Sequence, residues 1–287
     1  MRTGTDNAPI GIFDSGFGGL TVAQEIARKL PHESIIYLGD TARCPYGPRE
    51  MSEVNSFVQQ ISSWLVKRNV KLIVIACNTA TAAGLQYAQE AFDIPILGVV
   101  APGARTAVYA TKTRRIGVIA TEGTVRSHAY ADAIHHIDAG VKVFSQATPE
   151  FVDIVEKAIS EVDSSILGTD VTPIELFRKP EYHHIAQNYL NPLLAEKIDT
   201  LVLGCTHFPL LKDVIGQVTG EAVTLISSAE EAALDVEESL IRKGLQARSD
   251  HAPSYHFYTT GKDLEDFRNF SKYVFELPID SVDQVKL

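Results

Sequence analysis

Two cysteines stand in matching settings in this chain. Cys77 closes the run Leu72-Ile73-Val74-Ile75-Ala76 and is followed by Asn78-Thr79; Cys205 closes Leu201-Val202-Leu203-Gly204 and is followed by Thr206-His207. A run of branched apolar residues without alternation reads as a strand buried on both faces of a parallel sheet. The carboxyl ends of such strands are where open α/β sheets place their ligands. One cysteine in that setting reads as a small hydrophobe. Two, each followed by amide, hydroxyl or imidazole groups, point to thiol chemistry. A redox dithiol normally uses C-x-x-C, which this sequence lacks, and a covalent nucleophile would leave one of the two thiols silent. The third option is proton transfer on both faces of a carbon acid, because a thiolate is a good base when its pKa lies near the working pH. Inverting a stereocentre without a cofactor needs one base below the Cα–H and one acid above it. Each thiol then wants a tuning group, and Asp14 and His207 are the candidates. His207, two residues from Cys205, can act as its proton partner.

The elements that must position these groups follow the chain. An apolar strand at 10–13 runs into Asp14-Ser15-Gly16-Phe17-Gly18-Gly19, and a helix through Val22, Ile26 and Leu30 stops at Pro31. The glycine-rich turn is neither GxGxxG nor a P-loop. It can offer backbone N–H groups to an anion, while Asp14 would repel a phosphate and suits an ammonium group. A second strand at 34–38 leads into a turn-rich stretch, 39–48, that holds Cys44, a thiol with no partner visible in the sequence. Val54, Phe57, Val58, Ile61, Trp64 and Leu65 mark an amphipathic helix. A helix at 80–92 and a strand at 94–99 follow Cys77, and Pro102-Gly103 marks the expected crossing into a second domain. The strand–turn pattern of 10–16 then recurs at 116–123, just as the cysteine strand recurs, which implies two related halves, each supplying one wall of a cleft. Cys77 and Cys205 are further apart in sequence than Gly11 and Gly117. The second half therefore carries extra chain, with 163–180 the candidate insert. It lies between helical patterns at 149–162, with Val152, Val155 and Ile159 on one face, and at 181–197. Ser228-Ala229-Glu230-Glu231 has the form of a capping box whose helix ends at Gly244. A strand at 255–258 and a helix bearing Phe267, Phe270 and Val274 complete the chain.

Composition narrows the options. With 287 residues, 45% hydrophobic and 22% charged, the chain has material for two globular domains. A net charge of −10 argues against a nucleic-acid surface. Three cysteines make no disulfide framework, so a reducing cytoplasm is expected. No signal pattern opens the chain and no apolar run reaches the ~20 residues of a membrane span. His135-His136 and His183-His184 are adjacent pairs. Neighbours on a helix diverge by about 100°, so neither pair presents two ligands on one face, and no metal site is expected. A pyridoxal-phosphate enzyme would need a Schiff-base lysine, and no lysine stands at a strand end beside the glycine turn.

IGIFDSGFGGLTV, GDTARCPYG, ACNTAT, LGCTHFPLL and FYTTG together resemble the bacterial glutamate racemases of the aspartate/glutamate racemase superfamily, with motifs spread over 10–261. The resemblance implies a cofactor-independent isomerase that interconverts L- and D-glutamate and supplies D-glutamate for peptidoglycan, hence for cell wall biogenesis and cell shape. It implies that Cys77 deprotonates the D-isomer and Cys205 the L-isomer. Asp14, Ser15, Tyr46, Gly47, Asn78, Thr79, Thr121, Thr124, Thr206 and His207 would surround the substrate, and Glu156 would support the second thiol. The chain departs from the family at Thr148-Pro149, where cysteine-proline is usual, at Asp153, where proline is usual, and in the length of the 163–180 insert.

The expected architecture is thus two pseudo-symmetric α/β domains with mainly parallel sheets, residues 1–99 plus 209–287 and residues 100–208, with the active site in the cleft between them. An aspartate racemase on the same fold, or a binding protein that has lost turnover, are the rival readings. The sequence leaves the oligomeric state, including a homodimer, open.

Overall fold

The structure is a computed structural model that describes residues 6–160, 177 and 179–287. The chain divides into two compact units, Met1–Val99 with Ala229–Leu287, and Val100–Ser228.

The first unit carries a sheet in the order β10-β9-β2-β1-β3-β4, parallel throughout. Its strands are β1 (Ile10–Asp14), β2 (Ile35–Gly39), β3 (Leu72–Ile75), β4 (Ile96–Gly98), β9 (Tyr255–Thr259) and β10 (Ser281–Gln284). β1, β2 and β3 are buried along their whole length. Helices covering both faces require this, and it explains their unbroken apolar runs. Helix α1 (Leu20–Lys29) follows the glycine turn. α2 (Met51–Val66) buries Val54, Phe57, Val58, Ile61 and Leu65, the stripe read from the sequence. α3 (Asn78–Ala91) lies against α2 so closely that a Cβ on Gly84 would stand 2.8 Å from Val58 Cβ.

The second unit carries β5 (Arg115–Ala120), β6 (Lys142–Ala147), β7 (Thr200–Gly204) and β8 (Thr224–Ser227), again all parallel, in the order β6-β5-β7-β8. This repeats the order of β2-β1-β3-β4, so the internal similarity seen in sequence is also one of topology. Its helices are α4 (Val100–Ala110), α5 (Glu122–Arg126), α6 (Ala129–Ile137), α7 (Pro149–Ser160), α8 (Pro180–Ala195) and α9 (Lys212–Thr219), with a 3-10 turn at Phe208–Leu211. α10 (Ser228–Lys243) begins at the second crossing, and α11 (Leu264–Val274) belongs to the first unit.

Several expectations need correction. The crossing falls between Val99 and Val100, and Pro102 and Gly103 lie just past it in the first turn of α4, where proline loses no helical bond. The chain returns to the first unit at Ala229 rather than Pro209, because β8 pairs with β7 and so completes the second sheet. α7 buries Phe151, Ile154, Val155 and Ala158, while Val152 is only partly covered. Strand β10 was not expected from Ser-Val-Asp-Gln. It pairs with β9 at the sheet edge, and burial of Val282 carries it. The insert at 163–180 lies almost wholly outside the described residues, as does the side chain of Ile159. α10 does end before Gly244, whose φ is +63°; Gly244 N–H and Leu245 N–H close the helix on Ile241 and Leu240 carbonyls at 3.1 and 2.9 Å.

Candidate active site

In the first unit, parallel register brings the carboxyl ends of three strands level. Asp14 on β1 pairs with Gly39 on β2, and Phe13 pairs with Ile75 on β3. Asp14, Asp40 and Cys77 therefore emerge side by side. Asp14 is fully buried and its Oδ2 accepts the Gly16 N–H at 3.1 Å. The turn must come this close to the acid, since a Cβ on Gly19 would meet Asp14 Cβ at 2.4 Å and Tyr37 Oη at 2.9 Å. Cys77 is the N-cap of α3, and its Sγ accepts the Ala80 N–H at 3.4 Å. A helix N-terminus aimed at sulfur favours the thiolate through its N–H groups and the helix dipole. In the thiol form the sulfur can donate to Ser15 Oγ, 3.7 Å away. Asn78 and Thr79 are buried beside it in the first turn of α3.

The Tyr46–Gly47 segment belongs to the same half-site. Tyr46 is buried against Phe57, with ring centroids 5.4 Å apart, and shares a core cluster with Cys77. Burial pushes the Tyr46 phenol far above its ordinary pKa, and the nearby charges of Asp40 and Cys77 push the same way. The phenol is therefore a permanent O–H.

The second unit has its own level edge. Ala120 on β5 pairs with Gly204 on β7 and with Ala147 on β6, so Thr121, Cys205 and Thr148 emerge together. Thr121 caps α5, its Oγ1 accepting the Thr124 N–H at 3.4 Å and lying 3.1 Å from Thr124 Oγ1. After Cys205 the chain turns tightly, Phe208 N–H donating to the Cys205 carbonyl at 3.1 Å. That turn folds His207 back until Nδ1 lies 3.6 Å from Cys205 Sγ. On the far side of the ring, Nε2 lies 2.6 Å from Glu156 Oε1. Burial alone would lower the pKa of His207. The bonds to Cys205 and Glu156 outweigh it and hold the imidazole well above its ordinary value. His207 is thus an imidazolium between a sulfur and a carboxylate.

The carboxylate at His207 is Glu156; Glu150 instead accepts the Tyr189 hydroxyl at 2.8 Å. α7 is held in place by Phe151, whose ring packs edge-on against both Phe208 and Tyr189 at 5.5 Å. Neither departure at the start of this helix moves Glu156 off the histidine. Thr148 is buried at the turn, and Asp153 points to solvent.

Groups that sequence reasoning did not single out also stand here. Asp40 is fully buried and binds Tyr46 and Arg43. Tyr130 packs under Gly204, bonds Ser228 through its hydroxyl and lies within electrostatic reach of Cys205. Asp40 lies inside the GDTARCPYG motif, where a buried acid among turn formers was the available signal; Tyr130 had none. Among the described residues no group of three or more histidine, cysteine or acidic side chains could hold a metal ion. No helix among them is long and apolar enough to cross a membrane.

The sequence model for Asp/Glu/Hydantoin racemases matches residues 18–236. The chain belongs to this racemase family. The chain is 46% identical to a glutamate racemase of Exiguobacterium sibiricum, over 93% of this chain and 90% of that one. Glutamate racemase isoform RacE1 from Bacillus anthracis superposes with a TM-score of 0.87 at 44% identity, over 98% of both chains. The glutamate racemase of Francisella tularensis, solved in complex with D-glutamate, superposes with a TM-score of 0.85 at 32% identity, again over 98% of both. The racemase fold is therefore matched over nearly the whole chain.

Proposed function

We propose that this protein interconverts L- and D-glutamate without a cofactor, using Cys77 and Cys205 on opposite faces of the substrate Cα. The observation that carries the reading is the pair of equivalent strand ends, each delivering a thiol beside its own polar support. Ser15 and the α3 N-terminus serve Cys77, and the His207–Glu156 pair serves Cys205. The identity with glutamate racemases over most of the chain supports glutamate over aspartate as the substrate.

Asp14 takes the substrate ammonium, and the hydroxyls of Ser15, Thr79, Thr121, Thr124 and Thr206, with Asn78 and backbone N–H groups near Gly47, take the two carboxylates. From L-glutamate, the Cys205 thiolate removes the Cα proton and becomes a thiol, leaving a carbanion. The Cys77 thiol then protonates the opposite face, giving D-glutamate and a Cys77 thiolate. Loss of the Cys205 proton to water and uptake of one from water by Cys77 reset the enzyme. His207, held charged by its contact with Glu156, meets the Cys205 sulfur through Nδ1 at 3.6 Å. The product is D-glutamate for peptidoglycan, made in the reducing cytoplasm that keeps both thiols free.

Turnover of L-glutamate in deuterated buffer, followed by proton NMR and circular dichroism, tests this reading. The D-glutamate formed early carries solvent deuterium while recovered L-glutamate stays nearly unlabelled, and Cys77→Ala and Cys205→Ala each lose racemisation in both directions. Equal early label in substrate and product, or turnover in either alanine variant, would rule out two thiols. Faster turnover of aspartate than glutamate would reassign the substrate.

A further inference from the structure

The reading above leaves two motifs without work: the Asp40-Thr41-Ala42-Arg43 stretch after β2 and the Thr259-Thr260-Gly261 turn after β9. We propose that they form one device, in which Asp40, held by Arg43 and Thr260, is the positioning residue for Tyr46 and through it for the Tyr46–Gly47 substrate-binding segment. The inference rests on the reading that this segment binds glutamate.

Asp40 is a carboxylate with no exposed surface and every bond accounted for. Its N–H donates to the Asp14 carbonyl at 3.0 Å, which ties it to the strand end that carries the proposed ammonium ligand. Oδ2 accepts the Tyr46 hydroxyl and Arg43 Nε, the latter at 2.6 Å. Oδ1 accepts the Thr260 hydroxyl at 2.7 Å. Arg43 neutralises the charge, lies 4.1 Å over the Phe57 ring and donates to Gln60 at 2.7 Å. Tyr46 rests on that same ring.

The C-terminal turn completes the clamp. Thr260 N–H donates to the Gly39 carbonyl at 3.1 Å, and Thr260 Oγ1 accepts the Ala42 N–H at 3.0 Å. Thr41 and Thr259 hydroxyls lie 2.6 Å apart, and Gly261 N–H donates to Thr41 Oγ1 at 2.9 Å. A side chain at 261 would strike Thr41 Oγ1 at 2.3 Å, so glycine is required for the approach.

Two consequences follow for the site. The proton of the Tyr46 hydroxyl is committed to Asp40, so its oxygen offers only lone pairs to other groups. The ring, fixed at both ends, holds the backbone of Tyr46 and Gly47 at one height above the sheet edge. Asp40 touches no reacting atom, so its loss should weaken substrate and transition-state binding together. That raises KM and spares kcat.

The experiment is a double-mutant cycle on Asp40→Asn and Tyr46→Phe, reading KM and kcat by circular dichroism, D-glutamate affinity by calorimetry and urea midpoints. Asp40→Asn should raise KM and Kd by about tenfold, from the loss of a charge-assisted bond, with kcat within about threefold of wild type. In the Tyr46→Phe background the same change should add less than about twofold, because the hydroxyl it acts through is gone. Thr260→Val, a milder change at the tail, should raise KM a few-fold in the wild-type background and not in Tyr46→Phe, and it decides the matter if Asp40→Asn fails to fold. A folded Asp40→Asn with wild-type KM and Kd, or losses that multiply across the cycle, would overturn the inference. A wild type that binds D-glutamate without racemising it would refute the function while the Kd cycle still decides the role of Asp40; one that neither binds nor turns over glutamate would overturn both.

Discussion

Replacing Glu156 by Gln removes a charge while keeping the shape of the group that meets His207 Nε2 at 2.6 Å. A hydrogen bond between two charged groups contributes ~1.5–3 kcal/mol. Glu156 retains 30% side-chain exposure, so water screens part of the interaction and the lower end applies. The His207 pKa should then fall in Glu156→Gln, still supported by Cys205 at 3.6 Å. The sign for stability follows from the same shift. His207 is raised in the folded protein, so its contribution is complete below the ordinary histidine pKa and fades as pH rises through the folded value. The variant should lose this stability at a lower pH than wild type. Ring-nitrogen NMR of uniformly labelled protein follows His207 directly, and kcat/KM against pH should show its alkaline limb moving down with it. An unchanged His207 titration in Glu156→Gln would refute the claim that the carboxylate holds the imidazole charged.

Three further outcomes test how the fold supports the site. Lys71 and Glu33 form an ion pair with side chains only 1% and 4% exposed, and Glu33 also accepts the Ala247 N–H at 2.8 Å. Lys71→Met should cost ~3–5 kcal/mol in urea denaturation by stranding a buried carboxylate, and adding Glu33→Leu should recover much of it. Gly84→Ala should lower stability by about 1–3 kcal/mol despite alanine's better helix propensity, because the new Cβ meets the branch point of Val58, which no rotamer can move aside; a rise in Tm would show that α2 and α3 can separate freely. Burial would raise Asp199, but bonds from the Thr111 hydroxyl and the N–H groups of Lys112 and Thr113 hold it at about 2. Its contribution is therefore present above the ordinary carboxylate pKa and lost as pH falls toward 2. Asp199→Asn should flatten the stability profile across that acid window, and an unchanged profile would contradict the assignment.

Local features of this chain were legible in its sequence. The runs ending at Cys77 and Cys205 had to be buried parallel strands, since their residues leave no face for water. The stripe of α2 and the stop of α10 at Gly244 likewise depend on residues within a turn or two of each other. The spacing of His207 from Cys205 allowed the contact that the tight turn then made. Other features depend on partners that no local pattern names. Asp40 meets Thr260 across 220 residues of chain, because Gly39 and Thr259 share a register between β2 and β9. Glu156 rather than Glu150 reaches His207 because Phe151 docks on Phe208 and fixes the rotation of α7. Residues 209–228 joined the second unit because β8 found an open edge on β7, although Pro209 looked like a boundary. In each case the deciding energy is a contact between segments distant in sequence, and a helix period or a strand run carries no information about which distant segment will supply it.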